Sequence, residues 1–217
     1  MASNVQDRSK PGTRPLTRLT MAAAAMGLFL AGYYWGNQYR RGDSTPLAIA
    51  GVLIRPAYPL PEFALRDGTD RPFTTKDFAG RWTLLSFGDP NQASGRRVVT
   101  RMIEVHNRLA GDPDLQEKLL LALVTPRRDP ASDLRRWSPA LTFLSGETEE
   151  IQGLRAALGM PARETTATAD QTPPCYLIGP AGRLLALFPD AQTPAAIASD
   201  LVAIAAHADS PSPTDDG

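Results

Sequence analysis

Two uninterrupted apolar runs limit what this chain can fold into more than any other feature. "RWTLLSFG" lies between Gly80 and Gly88, and "KLLLALVTP" follows some thirty residues later. Neither run alternates apolar with polar residues, so neither suits a strand with one wet face. Runs of this length suit central strands covered on both sides. Between them Val98, Val99, Met102, Ile103, Val105 and Leu109 recur at the spacing of a helix with one buried face, which predicts a helix over 98–110.

The remaining segments extend the same alternation. "EFALRDGTDRPFTTKDF" predicts a hairpin about Asp67-Gly68, followed by a helical turn capped by Thr75 or Asp77. "DPASDLRRWSPAL" predicts a short helix capped by Asp129 or Ser132, and "LTFLSG" a brief strand or loop. "ETEEIQGLRAALG" has an acidic first turn and a Gly159 stop, both favourable for a helix dipole. After the polar loop "PARETTATADQTPP", "CYLIGPAGRLLALF" reads as a hairpin about Pro180-Ala181-Gly182 and "TPAAIASDLVAIAAHA" as a last helix. Strands separated by helices, then a hairpin and a final helix, make an α/β, thioredoxin-like layout: a central mixed sheet flanked by helices, over 52–207. The polar end, 208–217, reads as a disordered tail.

The first fifty residues follow a different logic. The chain of 217 residues has zero formal charge, yet residues 1–42 carry Arg8, Lys10, Arg14, Arg18, Arg40 and Arg41 against Asp7, so this end is +5 and the rest −5. A negative remainder without a basic stripe excludes nucleic acid as partner. "LTMAAAAMGLFLAGYYW", Leu19 to Trp35, has no charge; as a helix it spans roughly 25 Å, short but workable for a bilayer that tolerates tilt. Four basic residues precede it and two follow closely, so the positive-inside rule puts the N-terminus in the cytoplasm. The expected organisation is a basic cytoplasmic stretch over 1–18, a lipid-embedded transmembrane anchor over 19–36, a proline-punctuated linker over 37–51 and an extracytoplasmic domain. The Ala/Arg/Pro-rich composition fits a bacterial protein better than a mitochondrial one, so with this topology the expected location is a bacterial inner membrane, single-pass, with the domain in the periplasm. A cleaved signal, a mitochondrial targeting sequence and a buried helix are the competing readings; Ala48-Ile49-Ala50 lies too far past the apolar run for an ordinary cleavage site.

The lines "VLIRPAYPLPEFALRDGTDRPFTTKDFAGRWTLLSFG", "VTPRRDPASDLRRW", "FLSGETEEIQGLRAALG" and "CYLIGPAGRLLALF" resemble, in order and spacing, the SCO/SenC family of membrane-tethered thioredoxin-fold proteins that help deliver copper to cytochrome c oxidase. The resemblance implies a copper site made by a C-x-x-x-C stretch just after the "FG" strand end and a histidine before the late "YLI" strand. In this chain the two cysteine positions hold Gln92 and Arg96, and the histidine position holds Gln171. Copper(I) takes soft thiolate ligands, which an amide and a permanently charged guanidinium cannot replace. The expectation is a degenerate member with no metal and no cofactor, whose partner is a respiratory oxidase or one of its assembly factors.

The other chemistry-bearing residues are few. His106 falls about ten residues, roughly 15 Å along a helix, beyond Arg96, too far to share a metal with it. His207 closes the last helix. Cys175, the only cysteine, opens a strand that should be central, where a free thiol behaves as a small apolar residue. Pro173 or Pro174 could copy the cis-proline that thioredoxin-like folds often carry before this strand; an ordinary loop that stops before the strand is the equal alternative. A helix starting near Ser94 or Gly95 would put Arg96 and Arg97 in its first turn, where free N–H groups and two guanidinium groups could hold an anion or a partner's carboxylate; solvated arginines, or a pair with Asp89, are the plainer alternative. Three functions follow: a non-catalytic assembly or regulatory factor, which is the reading adopted; a permanent accessory subunit of a membrane complex; and an enzyme, a thiol oxidoreductase or peroxidase using Cys175.

Overall fold

The structure is a computed structural model that describes residues 24–33, 47–126, 140–160 and 172–209. The chain divides into two compact units, Met1–Pro46 and Leu47–Gly217. In the first, residues 24–33 form a helix, α1, whose Met26, Leu28, Phe29, Leu30 and Tyr33 are exposed. No helix among the described residues is long and apolar enough to cross a membrane. The rest of the anchor expected over 19–36 lies outside the described residues.

The second unit is built on one sheet. The two apolar runs become β4 (Trp82–Phe87) and β5 (Leu119–Val124), and every residue of β4 is buried. Around them stand β1 (Val52–Pro59), β2 (Leu65–Asp67), β3 (Pro72–Phe73), β6 (Leu141–Ser145), β7 (Cys175–Ile178) and β8 (Arg183–Phe188), in the order β1-β8-β7-β4-β5-β6-β2-β3. β4 and β6 flank β5 in parallel; β7 runs antiparallel to β4 and β8, so the sheet is mixed. Strand alternation splits the core into two clusters. Trp82, Leu84, Leu121, Leu123, Cys175 and Leu177 face α2 (Ala93–Arg108) and α5 (Pro194–Asp209). Leu85, Phe87, Val124, Tyr176 and Ile178 face Phe78 and α4 (Thr148–Ala157). Each fully buried Leu or Phe contributes about 1.5–3 kcal/mol, which is why continuous apolar runs settle in the middle of the sheet.

Local details differ from the expected ones. The helical turn Thr75–Phe78 is capped by Thr74, not by Thr75 or Asp77: Thr74 donates both N–H and Oγ–H to the Asp77 carboxylate, at 2.7 and 3.0 Å. α2 starts at Ala93, earlier than the apolar periodicity does, with Gln92 as its cap residue. A further helix, α3 (Pro113–Lys118), follows Asp112, whose side chain accepts the Leu115 N–H while Pro113 takes the first helical position. The helix expected at Asp129 or Ser132 lies outside the described residues.

The chain that follows the linker, from Val52, is an edge strand paired antiparallel with β8. Its entry is held by the Asp200 carboxylate on α5, which accepts the N–H of Ala50 at 3.0 Å and of Gly51 at 2.9 Å. Gly51 has no room for a side chain, since a Cβ there would lie 2.6 Å from the Phe188 ring. The Asp67 turn matches expectation. Burial alone would raise the Asp67 pKa, but hydrogen bonds from Thr69 and Arg71, through backbone and side chains, outweigh it and hold the carboxyl at about 2.

Candidate functional site

The sheet topology decides what faces the loop after β4. Because β7 runs antiparallel to β4, with Leu85 opposite Tyr176, the start of β7 lies beside the end of β4. Residues 172–174 therefore sit next to residues 88–92. Ser86 Oγ donates to the Pro174 carbonyl at 2.8 Å, and Arg97 Nε donates to Thr172 Oγ1 at 3.3 Å, tying the two segments together.

The loop itself is tightly wound. The Asp89 carboxylate accepts the Asn91 N–H and the Asp89 carbonyl accepts the Gln92 N–H, each at 2.9 Å, so the chain turns straight into α2. Gly88 and Gly95 allow the first turn of the helix to press on this loop. A Cβ on Gly95 would lie 2.0 Å from the Asp89 carbonyl oxygen, and one on Gly88 would lie 3.3 Å from the Gly95 Cα.

Gln92 stands at the cap of α2 and Arg96 in its first turn, both exposed. Arg96 Nη1 donates back to the Asn91 carbonyl at 3.1 Å. Arg97 is exposed and, because α2 starts at Ala93, falls just past the first turn expected for it; Gln171 lies outside the described residues. Among the described residues no group of three or more His, Cys, Asp or Glu side chains is placed to share a metal ion. His106, half-buried on α2, and His207, on the last turn of α5, stand away from the loop.

Cys175 is fully buried against α2 and α5. Burial pushes its thiol up to about 11, against the downward pull of the Arg101 charge and of hydrogen bonding with Ser86. A thiol in that state is a poor nucleophile. Alkylation of the native chain by iodoacetamide at pH 8 is expected to be about a hundredfold slower than in denaturant, and Cys175→Ala is expected to leave partner binding unchanged; rapid native alkylation would restore the thiol-enzyme reading.

The cis-proline expectation is corrected. Among the described residues the cis X–Pro bond is Arg55–Pro56, in β1; Pro173 and Pro174 enter β7 through trans bonds. The extended entry presents the Pro174 carbonyl to Ser86 and lets Cys175 pair opposite Phe188, which an ordinary trans connection satisfies.

Beside the loop stands a residue that motif and ligand chemistry do not single out. Arg101, one turn beyond Arg97, is buried at 7% exposure, and its Nη2 donates to the carbonyls of Pro189 and of Gln192, the latter at 2.7 Å. Its sequence signal is an Arg spaced by three and four from Val98 and Val105, on the stripe that faces the core.

The SCO1/SenC family model matches residues 55–206, which takes in the sheet from within β1, the loop, α2 and most of α5. The chain belongs to the SCO1/SenC family. A Stutzerimonas stutzeri protein, named as a candidate copper binder, is 31% identical over 149 residues, covering 65% of this chain and 70% of its own. The mouse mitochondrial SCO1 homolog is 30% identical over 210 residues, covering 90% of this chain and 72% of its own. Among solved structures, copper-bound yeast Sco1 aligns with a TM-score of 0.55 at 19% identity over 72% of this chain and 96% of that one. That likeness establishes the thioredoxin-like fold for this SCO1/SenC member.

Proposed function

We propose that this chain is a membrane-tethered, extracytoplasmic SCO1/SenC protein without the family copper site, acting through protein contact as a non-catalytic assembly or regulatory factor for a respiratory oxidase. The observation that carries the reading is Arg96. It stands in the first turn of α2, at the position where the family resemblance calls for a copper-binding thiolate, and its neighbour in the motif is the amide Gln92. A guanidinium keeps its proton at any physiological pH and repels a cation. Copper, the family's cargo, then has no thiolate here to receive it. The uncharged run at 19–35 with its basic flanks supports the tether, a bacterial inner membrane and a periplasmic domain.

A partner is supported by what the relatives are. One solved neighbour is described as a member of the Sco family of cytochrome c oxidase assembly proteins. Affinity capture of the full-length chain from detergent-solubilised membranes is the direct test. Oxidase subunits or their assembly factors are the expected co-purifying proteins, and release after a salt or detergent wash separates a transient factor from a permanent subunit. Recovery of no respiratory component at native expression would remove the proposal.

A further inference from the structure

A cleft of about 640 Å³ opens beside the altered loop, between α2 and the segment that joins β8 to α5. Ala93, Arg96, Arg97, Thr100, Arg101 and Glu104 line one wall. Thr172 and residues 190–194 line the other. Arg101 forms part of the floor, and it is the anomaly. Nη2 is used by the Pro189 and Gln192 carbonyls, whereas Nε and Nη1 are buried without any hydrogen-bond partner. A guanidinium taken out of water with two of its three nitrogens unsatisfied is unfavourable unless the site supplies an acceptor. The acids of the cleft do not supply it. Glu104 is exposed, and Asp190 accepts the Thr172 N–H at 3.3 Å; neither is paired with Arg101.

The surroundings favour an anion in that role. Among the described residues the cleft is lined by three guanidinium groups and two carboxylates, a net positive balance. The N-termini of two helices also reach the cleft: α2 at Ala93, and α5 at Pro194, where Thr193 caps the helix by accepting the Ala196 N–H. The positive ends of both dipoles therefore lie at the cleft lining. The cleft is larger than a phosphate ion, leaving room for the organic part of an ester.

We infer that this cleft binds a phosphate group, free or carried by a small ester, over Arg101, with Arg96 and Arg97 contributing from α2. This site uses no copper chemistry and stands whether or not the assembly role is correct. It changes the sense of Arg96: the residue that disfavours a cation is one wall of a site for an anion.

The test is calorimetric titration of the full-length chain in non-ionic detergent with inorganic phosphate and, separately, with glycerol 3-phosphate. Saturable one-to-one binding is expected, weakened about tenfold or more by Thr100→Glu, which brings a carboxylate into the cleft from an exposed position. Arg101→Gln is expected to abolish it, but this change also removes the Pro189 and Gln192 bonds. Thr100→Glu is therefore the deciding variant, with circular dichroism and unfolding temperature as the check on folding. Tighter binding of the ester identifies an organic phosphate as the ligand class; equal binding identifies the free anion. Absence of saturable binding of both probes, or a folded Thr100→Glu protein that binds as well as the parent, overturns the site.

Discussion

Replacing Gly95 by alanine is expected to destabilise the domain by about 3 kcal/mol or more, near the upper end of what overpacking costs, and to lower the unfolding temperature by roughly 10 °C. The added methyl would lie 2.0 Å from the Asp89 carbonyl oxygen and 2.4 Å from its carbon, and both are backbone atoms that cannot swing aside as a side chain can. The loop has little freedom to retreat. The Asp89 carbonyl is already committed to the Gln92 N–H, and Gly88, one residue back, is bonded to the Val124 carbonyl on β5 at 3.0 Å. Gly153→Ala in α4 is the control: nothing lies within 4 Å of its built Cβ, and a glycine-to-alanine change in a helix stabilises by about 1 kcal/mol. Thermal unfolding followed by circular dichroism reads both. Equal unfolding temperatures for Gly95→Ala and the parent would mean that α2 does not press on the loop.

The second large effect is a gain of function. The parent chain is expected to show no saturable copper(I) binding against a competing chelator, and the double variant Gln92→Cys, Arg96→Cys is expected to form a one-to-one complex. The two positions are four residues apart, Gln92 at the cap and Arg96 in the first turn of α2, so both thiols would stand at the same end of the helix. A helix N-terminus lowers a thiol's pKa, and thiolate is the ligand copper(I) prefers. Both native side chains are exposed, and Arg96 spends its side-chain hydrogen bond on the neighbouring Asn91 carbonyl, so the exchange should not cost the fold. Adding Gln171→His should tighten the complex further. Tight one-to-one binding by the parent would refute the proposed loss of the copper site; a folded double variant that fails to bind would move the cause from the ligands to the shape of the loop.

Both expectations depend on how the chain arrives at the loop, and parts of that path are readable without a structure. β4 and β5 are legible because a continuous apolar run has no face it can give to water. α2 and α5 are legible as helices from spacing, and the loop between β4 and α2 from its Gly, Pro and Asn content. β1 is not legible. "VLIRPAYP" contains two prolines and an arginine, and it becomes a strand because β8 offers an edge and Asp200 accepts the two amides at its entry. Asp200 lies about 150 residues from those amides, a separation that no local pattern encodes.

The site divides along the same line. Residue identity set which atoms stand at the ligand positions: Gln92 and Arg96 supply an amide and a guanidinium where the resemblance calls for thiolates, and that chemistry needs no structure to be read. Tertiary structure alone decided what those residues face. The antiparallel pairing of β7 with β4 brings Thr172 against Arg97, and the turn before α5 covers Arg101, making a buried charge from a residue type that ordinarily stays in water. The physical reason is range. Propensity, periodicity and ligand chemistry act within one residue or one turn, whereas burial and the fate of a buried hydrogen-bond donor depend on segments that meet only when the sheet closes.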